Sequence, residues 1–127
     1  LPHGIGMTIS GHCPQIMHGE SLAVTYPDFT RFTYPYAVAK FAKMGRIFDP
    51  ALCEASDEEA ARQSCELLDR FMQRIGMWLS LKGLGATMED ISAIADNSRV
   101  LPDYKSNPRI ASRDEIYDML IRSYNRQ

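Results

Sequence analysis

Ser56-Asp57-Glu58-Glu59 opens the longest regular pattern in the chain. A serine in this setting caps the free amides of a helix start, and an acid three residues on can reach back to the serine amide. Behind it, Ala61, Cys65, Leu68, Met72 and Ile75 recur at helical spacing, with Leu67, Phe71 and Trp78 beside them. The pattern predicts a helix from about 57 to 75, stopped by Gly76, with Trp78 as a core anchor. Two further start signals follow. Thr87-Met88-Glu89-Asp90 leads into Ile91, Ile94 and Ala95, and Ser112-Arg113-Asp114-Glu115 leads into Ile116, Met119, Leu120 and Tyr124. No stretch has the alternation or length of a strand. The expected architecture is all-α, with six or so helices.

The first half is less regular. Residues 1 to about 13 place Ile5 and Ile9 on one helical face among Gly4, Gly6 and Gly11. Each glycine costs about 1 kcal/mol relative to alanine inside a helix, so this one needs tertiary support. Cys13-Pro14-Gln15 breaks it. A second helix is expected from His18 to about Tyr34, kinked or briefly broken at Pro27. Pro35 is placed to begin a third, with Val38, Phe41, Ala42, Met44, Gly45 and Phe48 on its buried face, and Asp49-Pro50 ends it. Lys82-Gly83-Leu84-Gly85 reads as a turn, and residues 99 to 111, with Pro102 and Pro108, as a long loop. The seven methionines read as core filler.

At 127 residues, with 45% apolar and 24% charged side chains, this is one globular domain with a real core. A net charge of −2 gives no electrostatic case for binding nucleic acid or an anionic membrane. No apolar run has the length of a membrane span. Cys13, Cys53 and Cys65 are odd in number and not at metal-like spacing, which suggests buried or free thiols in a reducing, cytoplasmic compartment. The chain begins at Leu1 without a signal-peptide pattern, in sequence that looks structured at once. A piece of a longer protein is the expectation.

All three histidines, His3, His12 and His18, fall within the first eighteen residues. Imidazoles at the ends of two helical segments are the usual material of a metal site. Against this stands the absence of a tight H-x-x-x-H pair, and three surface histidines can fall together by chance. Glu20 either orients His18 or is an acid favoured in the first turn by the helix dipole. Cys13 lies beside the group.

The order of motifs along the chain carries more. His18-Gly19-Glu20-Ser21-Leu22-Ala23-Val24 is followed by Tyr26-Pro27, then Ile75-Gly76 leading to Leu84-Gly85, then Asn107-Pro108-Arg109 and a capped last helix. In this order the sequence resembles the C-terminal helical domain of the iron-containing alcohol dehydrogenases, a fold of the dehydroquinate synthase type. The resemblance covers essentially the whole chain, residues 1–127. It implies a two-domain enzyme whose N-terminal NAD(P)-binding domain is absent here, with catalysis in the cleft between the domains. It also implies a metal, Fe(II) or alternatively Zn(II), held by one aspartate and three histidines, of which His3 and His18 are the last two. They stand fifteen residues apart, one more than the family spacing, which places an insertion around His12 to Gln15. The family commonly carries a further histidine in the middle of the first helix. The aligned position is Gly6: either this subgroup dispenses with that group, the favoured reading because His12 lies more than one helical turn away, or His12 reaches in as a catalytic stand-in.

The chemistry so implied is hydride transfer between a small alcohol or aldehyde and nicotinamide, with the metal polarising the substrate oxygen. Imidazole and carboxylate together suit either metal. Two alternatives stand beside it. One is a zinc enzyme of the glycerol dehydrogenase or dehydroquinate synthase type, and the other a stand-alone helical interaction module without catalysis. A homo-oligomer is compatible with each.

Overall fold

The computed structural model describes residues 1–127 and is all helical. Six α-helices are present: α1 (Pro2–His12), α2 (His18–Thr33), α3 (Val38–Phe48), α4 (Asp57–Arg74), α5 (Met88–Asn97) and α6 (Arg113–Tyr124). Short 3₁₀ turns at Tyr34–Tyr36, Pro50–Glu54 and Pro102–Ser106 join them. The all-α expectation therefore holds. Pro35, expected to open a helix, instead lies in the first of these turns, and α3 starts three residues later at Val38.

The main core gathers Ile5 and Ile9 of α1, Val24 of α2, Ile91, Ile94 and Ala95 of α5, and Ile116, Met119 and Leu120 of α6, with Leu81 from the connecting loop. Helix α1 packs on α2 and α5, and α6 packs on α2 and α5. Ile5 and Ile9 are fully enclosed, so the glycine-rich α1 has the tertiary support that its composition demands. Pro27 is buried inside an uninterrupted α2, and the expected break does not occur. A proline crowds the carbonyls of the preceding turn. Here the carbonyl of Val24 accepts the Ser123 hydroxyl of α6 at 2.9 Å, a tertiary bond in that disturbed turn.

The caps follow the sequence with one exception. The Thr87 hydroxyl accepts from the Asp90 amide at 3.1 Å while the Asp90 carboxylate accepts from the Thr87 amide at 2.7 Å. Ser112 and Glu115 form the same reciprocal pair. At α4 only half of the box forms. Ser56 caps the Glu59 amide, but the Glu59 carboxylate turns to Arg62 and Gln63. Those bonds hold it at about 2, below the usual carboxylate range.

Helices α3 and α4 form a hairpin with its own small core of Ala42, Leu52, Ala60 and Ala61. The α4 stripe is accordingly smaller than its sequence suggests. Ile75 and Phe71 are exposed, because helix α4 ends at Arg74 and Gly76 (φ +73°) turns the chain away. Trp78 is not a core anchor either. Its indole N–H donates to the Gln127 carbonyl at 2.8 Å, and Arg126 lies 4.8 Å over its ring. Among the methionines, Met72 and Met119 are buried, but Met7, Met17 and Met88 are exposed.

Gly45 sets the distance between α3 and α4. A Cβ there would stand 2.3 Å from the Ala60 carbonyl oxygen, which is backbone and cannot swing aside. Gly45→Ala is expected to push the two helices apart and lower stability by about 1–3 kcal/mol, the usual cost of overpacking. Urea unfolding would read this as a lower midpoint. An unchanged midpoint would mean that the hairpin is looser than its geometry states.

Candidate metal centre

Helix α2 crosses α1 at Gly6. A Cβ at that position would meet Leu22 Cδ2 at 3.0 Å and Ser21 Oγ at 3.1 Å. His3 lies three residues before Gly6, and His18 three residues before Ser21. The close crossing therefore brings one imidazole from the start of each helix to the same side. Their ring centroids are 5.3 Å apart and the rings are perpendicular. Both residues are exposed and line one open depression of about 360 Å³ with Met7 and Ser10.

The connection from α1 to α2 is fixed from inside. Cys13 and Ile16 are each 2% exposed, and the Ile16 amide donates to the Cys13 carbonyl at 2.9 Å. Burial, and then the neighbouring Asp90 charge, push the Cys13 thiol up from its ordinary value. It is a packed thiol, not a thiolate ligand. Glu20 does not orient His18. Its carboxylate accepts from the Met17 amide at 2.9 Å and so caps α2.

The donor set fits a metal in part. Two imidazoles at this separation can share one ion through metal–nitrogen bonds of about 2.0–2.1 Å. No group of three or more His, Cys, Asp or Glu side chains converges anywhere in the chain, so any further ligands must come from outside it.

His12 lies apart from this pair. It is exposed, its ring nitrogen is 3.2 Å from the Asn97 amide nitrogen, and it lines a second depression of about 390 Å³ with Met7, Thr8, Gly11, Asn97, Val100 and Leu101. Gly6 is the position matched above to the family's extra histidine. It faces α2 with no room for a side chain, whereas Met7, one turn after His3, faces the pocket and borders both depressions. The i, i+4 spacing of His3 and Met7 was already visible in the sequence.

Asn107-Pro108-Arg109 serves the framework. The Asn107 side-chain amide donates to the Arg109 carbonyl at 2.7 Å and to the Thr33 hydroxyl at 3.3 Å. The Arg109 guanidinium pairs with Glu115 and lies 4.5 Å over Phe32. One residue of the same loop reaches α1, and nothing in its sequence context signals it. Asp103 accepts a hydrogen bond from the Gly4 amide, next to His3, at 3.0 Å.

No helix is long and apolar enough to cross a membrane. The chain superimposes on a 1,3-propanediol oxidoreductase with a TM-score of 0.87 at 23% identity, covering 95% of this chain and 31% of that one. For the NADH-dependent butanol dehydrogenase A of Thermotoga maritima the TM-score is 0.79 at 24% identity, with coverages of 96% and 32%. An NAD-dependent methanol dehydrogenase of Bacillus methanolicus is 24% identical over 120 residues, 94% of this chain and 31% of the relative. The chain thus spans about a third of the length of these relatives. The model of the Fe-containing alcohol dehydrogenase family, C-terminal, matches residues 1–124, and with an all-helical fold that agrees, the chain belongs to that family.

Proposed function

We propose that this chain is the C-terminal part of a metal-dependent, NAD(P)-linked alcohol dehydrogenase, which moves hydride between an alcohol or aldehyde and a nicotinamide cofactor. The observation that carries the reading is the convergence of His3 and His18, rings 5.3 Å apart, on one open depression. In this reading the two imidazoles hold one divalent ion, Fe(II) or Zn(II), from one side. Held by these two imidazoles, such an ion would supply Lewis-acid polarisation of the substrate oxygen. Met7 gives the pocket an apolar wall for the substrate's carbon chain.

The remaining ligands and the dinucleotide site belong, in this proposal, to an N-terminal nucleotide-binding domain of the same polypeptide. Two facts support that division. The relatives are about three times as long, and this chain has no glycine-rich strand-turn-helix to receive a pyrophosphate. Cys13, Cys53 and Cys65 are all free, which favours a reducing, cytoplasmic setting.

The test compares the purified 127-residue chain with the complete enzyme. The chain alone is expected to give no turnover of an alcohol with NAD or NADP, with or without added Fe(II) or Zn(II). The complete enzyme is expected to retain a stoichiometric metal and to turn over. Metal-dependent turnover by the isolated chain would overturn the division of labour. A complete enzyme that neither retains metal nor reduces NAD(P) would overturn the function.

A further inference from the structure

We propose that His3, Met7 and His18 form a copper(I) site in which the Met7 thioether is the third ligand, and that copper held there displaces the divalent ion. The inference rests on the reading of His3 and His18 as ligands.

The three side chains share one surface. His3 and Met7 stand four residues apart on α1, the spacing that lets two side chains of one helix reach a common ion. His18 opens α2 with its ring 5.3 Å from the His3 ring. All three line the same depression, where the one other residue is Ser10. Met7 is 45% exposed, so its sulfur is not committed to the core. An unbranched side chain ending in a mobile thioether can turn toward an ion at little cost in packing.

The donor set is the argument for copper. Iron and zinc would take the two imidazoles and still need harder ligands from beyond this chain, because no carboxylate lines the depression. A thioether is a poor ligand for either ion, and beside them Met7 is only a wall. For Cu(I) the preference reverses. Soft thioether sulfur selects this ion, and imidazole suits copper as well. Its single charge also needs no carboxylate to balance it. The side chains already present therefore complete a site for Cu(I) that they leave incomplete for Fe(II) or Zn(II).

No thiol of the chain competes at this place. Cys13 and Cys65 are buried, Cys53 lies in the Pro50–Glu54 turn, and none of the three lines the depression. His12 is engaged with Asn97 and faces the second depression. A singly charged ion polarises an oxygen less than a doubly charged one, since the attraction scales with charge. Copper in this site is therefore an inhibitor, and turnover falls as the divalent ion leaves.

The experiment uses the complete enzyme labelled with selenomethionine, with Cu(I) and Co(II) as the probe metals. It compares wild type, Met7→Leu, His3→Ala and His18→Ala. Three quantities are read: Cu(I) affinity by bicinchoninate competition, Co(II) affinity by chelator competition, and selenium in the copper shell by X-ray absorption at the copper edge. Selenium separates a methionine ligand from every cysteine of the enzyme. Wild type is expected to show a copper–selenium contact and to release its Co(II) as Cu(I) is added. Met7→Leu is expected to lose that contact and to bind Cu(I) at least about 10-fold more weakly, the smallest loss usual even for a residue that only supports a ligand. Its Co(II) affinity should match wild type. If Met7→Leu does not fold, Met7→Gln makes the same comparison. A copper shell without selenium, a selenium contact that survives in the Met7 variant, or equal Cu(I) affinity in variant and wild type overturns the copper site while the ligand reading survives. Retention of Co(II) by both His3→Ala and His18→Ala overturns the ligand reading, and the copper site with it.

Discussion

His18→Ala is expected to strip the complete enzyme of its metal and its turnover together, while His12→Ala leaves both near wild type. The two residues are only six positions apart, and in the sequence it is the family resemblance that separates them. In the structure their geometry differs as well. His18 opens α2 and points an exposed imidazole at His3, whose ring centroid is 5.3 Å away. His12 closes α1, faces the second depression and is engaged with Asn97. Loss of a residue that merely orients a metal ligand typically costs 10–100-fold in affinity or activity, so loss of a ligand should exceed about 100-fold. His3→Ala should behave like His18→Ala, since the ion would then keep one imidazole from this chain. Metal content by elemental analysis and kcat on the same preparations make the check. If His18→Ala keeps its metal and His12→Ala loses it, the assignment of His18 is wrong and His12 is the ligand.

What the sequence disclosed and what it concealed divide along a physical line. Local signals were reliable. The Thr87–Asp90 and Ser112–Glu115 boxes form as written, because all four partners lie within one turn. Ser56–Glu59 failed by half because Arg62 and Gln63, one turn further on, compete for the same carboxylate. Periodicity found the helices but not which of their faces are buried. Ile75 continues the α4 stripe in sequence, yet it lies past the end of the helix and is exposed, and Phe71 beside the stripe covers only the Phe48 ring of α3.

The candidate site shows the same division. His3 and His18 could be named from their motif, but their meeting depends on a long-range event, the crossing of α1 and α2 at Gly6. That crossing also leaves Gly6 no room for a side chain. The residue without a side chain faces the partner helix, and Met7 beside it faces the pocket. Asp103 was invisible for the same reason. Nothing within its own loop says that its carboxylate will find an amide 99 residues away.

The second large effect is expected at Asp28, in the middle of α2. Its carboxylate is 9% exposed and accepts from two arginines of the C-terminal region, Arg122 Nε at 2.9 Å and Arg126 Nη2 at 2.5 Å. Arg126 is itself only 7% exposed, and it also donates to the Leu79 carbonyl at 3.0 Å and covers the Trp78 ring. Burial pulls its guanidinium below the ordinary value and Asp28 pulls it back. An arginine stays charged in either case. Asp28→Ala would therefore leave a buried, unpaired cation, at a cost of about 3–5 kcal/mol. Arg122 is 57% exposed, so Arg122→Ala should cost only about 0–1 kcal/mol. Asp28→Asn should fall between them, because it keeps an acceptor and loses the charge. Urea unfolding with an unchanged m-value would give the three differences directly. Asp28 lies ten residues along α2 from His18, about 15 Å of helix. A loss of stability there should leave metal affinity intact in whatever fraction is folded. An Asp28→Ala chain within about 1 kcal/mol of wild type would show that Arg126 finds solvent or another acceptor, and that the clamp is not what secures the C-terminal end.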